Sequence, residues 1–347
     1  MHIFDYSFLE NGSVPSKILN LTASLYSERM LTDIRKSASE QVFSDLELIA
    51  KVQSVKSSNA IEGIVTSDER IWDIVTKSSA PLNHDEAEIA GYRDVLNLIH
   101  TNYAEIPFDV NTILNFHALL LSKTGYEYGG KFKTENNIIM ERGTDGTRQV
   151  RFRPTPASET EDAIEQLVFA YLEARDNANI NQLLLVPCVI LDFLCIHPFR
   201  DGNGRISRLL SLLLLYKNGF DIGKWISYEE KINETKDEYY AALKASSDGW
   251  HENKNNPFVF MEYFMRTILF CYDDFDRRFS AAGSSRKGER IELVLMRSVV
   301  PLSKADICRS LPEVSPTTVE AVLGRLVKEG KIQKCGAARS TRYVWVK

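Results

Sequence analysis

Cysteine is scarce in this chain, with five in 347 residues. None belongs to a Cys-x-x-Cys pair, and five is not the even complement of a small disulfide framework. Cross-linked secreted scaffolds are therefore excluded, and free thiols in a reducing compartment are expected. Long apolar runs are missing too: the longest, residues 182–196, contains Pro187 and Asp192 and falls short of a bilayer's thickness. The opening MHIFDYSFLENG lacks the basic-then-apolar pattern of a secretory leader. A large charge of one sign is also absent, since the formal net charge is −5 with 44% hydrophobic residues, the balance of an ordinary soluble protein. These absences make the cytoplasm the expected location, with no membrane contact. What is plentiful is length, enough for two or three substantial cores.

Charge is unevenly spread. From Arg286 onward there are 13 Lys/Arg against 6 Asp/Glu, a net of +7, which leaves −12 upstream. The break falls at SAAGSSRKGE, a small, polar stretch suited to a linker, so a boundary is placed near residue 285. Upstream, nearly every segment has helical periodicity, as in EAEIAGYRDVLNLIH. SETEDAIEQLVFAYLEARDN opens with Ser158 and Glu161 at the spacing of a capping box. One segment differs: in NNIIMERGTDGTRQVRFRPTP, two short β-prone runs (Ile138, Ile139 and Met140; Val150, Arg151 and Phe152) flank GTDGT and predict a hairpin. The fold class expected is mainly α.

Between the apolar segment NQLLLVPCVILDFLCI and the helical RLLSLLLLYKNG, which stops at Gly219, lies HPFRDGNGRISR. His197 has the residue type of a general base near neutral pH. Asp201 supplies a hard oxygen ligand suited to Mg²⁺ held together with substrate phosphates. Gly202 and Gly204 let an anion approach the main chain at a helix start. Arg205 and Arg208, three apart, share a helix face and carry forks that grip phosphate oxygens. Taken singly, each has a plainer use: a hydrogen-bonded helix cap, a turn former, a solvated helix face. Together within twelve residues they make up what phosphoryl or nucleotidyl transfer needs.

HPFRDGNGRISR resembles, at every defined position, the signature His-x-Phe-x-Asp/Glu-Gly-Asn-Gly-Arg-x-x-Arg of the Fic proteins. The resemblance implies a Fic helical core with a β-hairpin flap, and an enzyme that moves AMP from ATP to a Ser, Thr or Tyr hydroxyl of a target protein. By position, His197 would deprotonate the hydroxyl and Asp201 would hold Mg²⁺. Gly202, Asn203 and Gly204 would cradle the phosphates, and Arg205 and Arg208 would bind the β- and γ-phosphates. The hairpin would be the flap, docking the target's backbone as an added strand.

Upstream, SSNAIEGIVTSDE is similar to the Ser/Thr-x-x-x-Glu-Gly pattern of Fic proteins with an inhibitory helix, with Ser58, Glu62 and Gly63 at the defined positions. Gly63 is a natural helix stop, so Glu62 sits at a helix C-terminus, where the dipole disfavours an anion and a cationic partner would offset it. The resemblance makes that partner Arg208. Tyr239 and Tyr240, in TKDEYYAALKASSDGW, resemble an aromatic pair bordering the adenine. Lys133, in GGKFKTENN, stands where many relatives carry arginine. The domains expected are 1–85, a helical region with the inhibitory helix; 86–285, the catalytic core; and 286–347.

The basic C-terminal segment has its own pattern. GERIELVLMRSV is helical, SKADICRSL begins at Ser303, and SPTTVEAVLGRLVKEG starts with Ser315 as cap and Pro316 at the first helical position. KIQK, a CGAARS turn and TRYVWVK follow as two strands. The set resembles a winged helix-turn-helix, with Thr317 to Lys328 as recognition helix and Arg339 and Arg342 on the wing, a fold that binds DNA or proteins. Two readings follow: a self-inhibited adenylyltransferase, or a DNA-binding transcriptional regulator whose Fic domain senses nucleotide. The intact His197 favours the first. The target and a homodimer stay open.

Overall fold

In a computed structural model, all residues are described except 1, 39, 143–147, 284–286, 299, 312–313, 337–340 and 347. The chain opens with α1 (Phe8–Asn11), α2 (Ser16–Ala38), α3 (Glu40–Ile61), α4 (Asp68–Lys77), α5 (His84–Asn102) and α6 (Val110–Leu121). The hairpin β1 (Ile139–Arg142) and β2 (Arg148–Phe152) interrupts the helices. Then come α7 (Thr160–Asp176), α8 (Gln182–Ile196), α9 (Asn203–Lys217), α10 (Tyr228–Glu234), α11 (Lys236–Ser247) and α12 (Phe258–Gly283). The last unit has α13 (Lys287–Arg297), α14 (Lys304–Ser310), α15 (Pro316–Lys328), β3 (Ile332–Cys335) and β4 (Arg342–Trp345). The mainly α class holds.

Helix starts follow local chemistry. Asn83, Asp109 and Asn181 accept from first-turn amides of α5, α6 and α8, satisfying donors that the helix leaves unpaired. The capping box expected at Ser158 and Glu161 does not form. Pro156 instead leads into a 3₁₀ turn, Ala157–Glu159, and α7 begins at Thr160, whose hydroxyl donates to Pro156 O at 2.9 Å.

α8 is apolar on nearly every side and is buried along almost its whole length, so it must be surrounded. It packs against α7, α9, α11 and α12. One hydrophobic cluster runs from Tyr6 to Phe275 and includes residues of α3 and α4, so the N-terminal helices share the core of α5 to α12. A second cluster, Ile291 to Ile332, is built by α13, α14, α15 and β3. The charge break thus lies between two cores. The stretch read as linker is partly helical, because α12 runs through residues 280–283 before the undescribed 284–286.

β1 and β2 pair antiparallel, with Ile139 opposite Phe152, Met140 opposite Val150 and Glu141 opposite Gln149; the register shifts between Ile139 and Met140. Ile138 precedes the strand, and the GTDGT turn lies outside the described residues. In the C-terminal unit, Ser303 and Asp306 form a capping box, and Pro316 occupies the first turn of α15 behind Ser315. β3 and β4 pair antiparallel, and Leu302 bridges to Tyr343 on the free edge of β4. Arg339 lies outside the described residues; Arg342 opens β4 and donates to Pro301 O at 3.2 Å.

Candidate active site

The connection between α8 and α9 is short and tied down from within. α8 ends where His197 adopts φ +53°, its amide donating to Phe193 O at 2.9 Å. α9 begins after Gly202, at φ +83°, an angle glycine takes without strain. Asn203 is buried and folds back on the loop: its Oδ1 accepts from the Phe199 amide at 2.9 Å and its Nδ2 donates to Phe199 O at 2.8 Å. Its side chain therefore locks the loop and is not presented to a ligand. Phe199 is fully buried and stacks on His117 with ring centroids 3.8 Å apart. The Gly130 amide donates to His117 Nδ1 at 3.1 Å, so the other nitrogen, Nε2, carries the proton and donates to Asp201 O at 3.1 Å.

His197 Nδ1 lies 3.4 Å from Leu194 O, which leaves Nε2 as the nitrogen able to meet a ligand. Burial, and after it the Lys133 ammonium, lowers the pKa of this ring to about 4. The imidazole is therefore neutral at pH 7 and can accept a proton.

A cavity of about 700 Å³ lies over this loop, between the hairpin and α11. His197, Gly204, Arg208 and Glu62 line it on one side; Tyr239 and Tyr240 line it from α11. Five of the six flap residues, Ile138, Ile139, Met140, Arg151 and Phe152, close the remaining side, whereas Val150 points elsewhere and is 43% exposed. The flap is pinned by an ion pair between Glu141 and Lys244 at 2.7 Å and by Phe152 stacked on His251. Arg151 sits over the Tyr240 ring at 5.8 Å, and among the described residues its Nε has no hydrogen-bond partner.

Glu62 occupies the start of α9. A methyl group added at Gly204 would lie 2.4 Å from Glu62 Oε1, so glycine at this position is what lets a carboxylate settle on the first turn of the helix. Unpaired amides and the helix dipole favour an anion there. α3 delivers Glu62 to this place by ending at Gly63, φ +82°, with Gly63 N donating to Ala60 O and Ile64 N to Asn59 O, both at 3.0 Å. These two bonds are the Schellman pattern. Arg208 Nη2 donates to Glu62 Oε1 at 2.8 Å and to Ser58 O at 2.9 Å, and its Nε donates to Ser58 Oγ at 2.8 Å. Burial pushes the Glu62 carboxyl up, but the charge and hydrogen bond of Arg208 outweigh it, and the pKa is lowered on balance. Lys236 adds a bond to Ile61 O at 2.6 Å, capping the same helix end.

Arg205 and Arg208 are both buried, yet they diverge. Arg205 does not line the cavity; it pairs with Glu88 of α5 at 2.5 Å and faces Asp201 at 3.8 Å. Gly202, Asn203 and Asp201 stay outside the cavity wall as well. The Asp201 side chain is 59% exposed, with Oδ1 accepting from the Gly202 amide at 2.6 Å. One exposed carboxylate beside an anion cradle is a donor set that fits a divalent cation arriving with phosphates. Among the described residues, no cluster of three or more His, Cys, Asp or Glu would hold a metal unaided. His117, Lys133, Asn137 and Glu88 support the loop from distant segments, and local sequence patterns gave no sign of them, apart from the unusual lysine at 133.

A model of the Fic/DOC family matches residues 107–215, the stretch that holds the hairpin, α8, the loop and most of α9. Over this stretch the chain is similar to the Fic/DOC family. Over 86 residues the chain is 31% identical to a Fido domain-containing protein of Dictyostelium discoideum, covering 25% of this chain and 55% of that relative, about half its length. A Fic family protein from Desulfovibrio desulfuricans is similar in structure with a TM-score of 0.62, over 96% of this chain and 97% of the other, at 19% identity. A fragment of Fic-1 from C. elegans gives 0.55 over 74% and 71%, at 18% identity. At such identities the likeness is one of fold. No helix among the described residues is long and apolar enough to cross a membrane.

Proposed function

We propose that the protein is an adenylyltransferase that moves AMP from ATP to a hydroxyl of a target protein, and that Glu62 holds it in check. The observation carrying this reading is the Glu62 carboxylate bound to Arg208 over Gly204, in the same cavity as a neutral His197. An acid placed on a helix start occupies ground that would suit a phosphate.

In the reaction, a Ser, Thr or Tyr hydroxyl held against the flap passes its proton to His197 Nε2. The oxygen bonds to the α-phosphorus, the bond from that phosphorus to the bridging oxygen breaks, and pyrophosphate leaves. The first-turn amides of α9 and Arg208, once free of Glu62, hold the phosphates; Tyr239 and Tyr240 border the base. Arg205 acts at one remove, bracing the Asp201 loop through Glu88. Mg²⁺ bound at Asp201 would neutralise phosphate charge and orient the chain of phosphates.

The test incubates the protein with Mg²⁺ and α-labelled ATP. Label on protein from Glu62→Gly, less from the parent and none from Glu62→Gly/His197→Ala supports the reading. Equal labelling in all three overturns both assignments.

The C-terminal unit is read as a winged helix that contacts DNA or a protein. Its net charge of +7 favours DNA, but Arg325 pairs with Glu292 and Glu329, and Lys304 with Glu320, so part of that charge on and beside α15 is already neutralised. Salt-dependent binding of random duplex DNA by the full chain, lost when Lys328 and Arg342 are changed to Ala, distinguishes the two. DNA affinity together with no labelling in any variant favours the regulator reading.

A further inference from the structure

The segment between α6 and the hairpin carries a lysine to which the transfer chemistry assigns no role. Lys133 is 5% exposed, and its ammonium donates to Ile196 O at 3.0 Å, His197 O at 2.9 Å and Asn137 Oδ1 at 2.9 Å. Its own amide donates to Pro198 O at 2.9 Å. Three ammonium protons meet three acceptors, so the group is fully used. Two of those acceptors are carbonyls at the C-terminal end of α8, which a helix leaves unpaired and where a cation is favoured. Asn137, at the root of β1, extends the grip by donating to Phe199 O at 3.1 Å.

The grip falls where the backbone needs it. His197 is a non-glycine residue at φ +53°, a strained conformation that persists only when its surroundings impose it. The direction in which a side chain leaves the main chain is set by that backbone. We propose that Lys133 is the positioning residue of His197: by holding the carbonyls of Ile196 and His197 against the root of the flap, it aims Nε2 into the cavity. Lys133 does not itself line that cavity, so it acts through His197 rather than on a ligand.

A plain filler of buried carbonyls would stabilise the loop and do no more. Lys133 differs in that its charge stands second only to burial in holding the imidazole pKa at about 4; Glu62 acts in the opposite sense, and Arg151 in the same sense. Removing the ammonium must therefore move the His197 titration upward, toward 6.5.

The experiment places Lys133→Met and Lys133→Arg in the Glu62→Gly background. It reads AMP transfer at varied ATP, thermal unfolding, and the His197 resonance in histidine-labelled protein, assigned by its loss in His197→Ala. The Met variant should lower kcat about a hundredfold, as a base misplaced by about 1 Å would. Its KM for ATP should stay within about twofold, and its titration should rise. Arg, which keeps charge and donors, should recover most of the rate and leave the titration in place. Unchanged kcat in Lys133→Met, or an unmoved titration, overturns the proposal. Should the Met variant not fold, Lys133→Gln removes the charge while keeping an amide donor and must show the same upward titration. The rate comparison rests on the transfer reading. If the Glu62→Gly parent labels no protein, that reading fails, and the titration alone still decides the role of Lys133.

Discussion

Replacing Glu62 by Gln removes one charge and almost no volume, so it isolates what the carboxylate does for Arg208. The parent guanidinium is 2% exposed and has three bonds: two to Ser58 and one to Glu62. Breaking a fully buried pair from one side costs about 3–5 kcal/mol. The Glu62 side chain is 32% exposed and two of the three bonds survive, so the expected cost is lower, about 2 kcal/mol. For a domain of this size that is a fall in Tm of roughly 4 °C. A neutral amide then stands against Arg208 and the first-turn amides of α9, and a triphosphate, which carries the charge that the amide lacks, can displace it. At about a hundred times its Kd, a ligand restores about 2.7 kcal/mol. Differential scanning fluorimetry with Mg²⁺ and ATP should therefore show little shift for the parent, and a rise for Glu62→Gln that at least cancels its deficit. Equal nucleotide shifts in the two proteins would refute the view that Glu62 occupies phosphate ground. A Gln variant as stable as the parent would refute the view that it balances Arg208.

Two further outcomes follow from the same geometry. Asn203→Ala removes the partner of the Phe199 amide inside a buried loop and leaves the Phe199 carbonyl to Asn137 alone, and should lower stability by about 2 kcal/mol in urea unfolding; a change under about 0.5 kcal/mol would show that the loop does not depend on that lock. Acid should loosen the Glu62 contact. Its folded pKa lies below the ordinary 4.5, so its contribution is full above about pH 4.5 and is lost as pH falls through the lowered value. Stability of the parent minus that of Glu62→Gln should then shrink with falling pH, and a difference independent of pH between 3 and 6 would contradict the sign.

Much of the architecture could be read from local pattern because the relevant signals are short-range. Alternating β-prone runs around GTDGT marked the hairpin, and the Gly63 stop placed Glu62 at a helix end. The loop residues sit within twelve positions of one another, so their convergence needed no knowledge of tertiary packing. What escaped was set by contacts between distant segments. His117 and Lys133 reach the loop from 84 and 64 positions away in sequence, to Asp201 and His197 respectively. Spacing put Arg205 and Arg208 on one helical face, but only the fold decides that Glu88 waits beside the first and Ser58 beside the second. At Ser158 the local cap signal lost to Pro156 and a 3₁₀ entry. Through residues 280–283, two alanines let α12 continue where small polar neighbours suggested a break.

The way α3 ends also sets how far anything must move to expose Arg208. Glu62 lies beyond the buried Val52 and Val55, past the last helical residue, and the turn that carries it is fastened by the main-chain bonds of Glu62, Gly63 and Ile64 and by Lys236 on Ile61 O. Fraying that single turn would swing the carboxylate clear while the remainder of the helix stayed packed. Control could therefore be exerted by a tug on the short stretch from Glu62 to Thr66, without dislodging the hydrophobic anchor behind it.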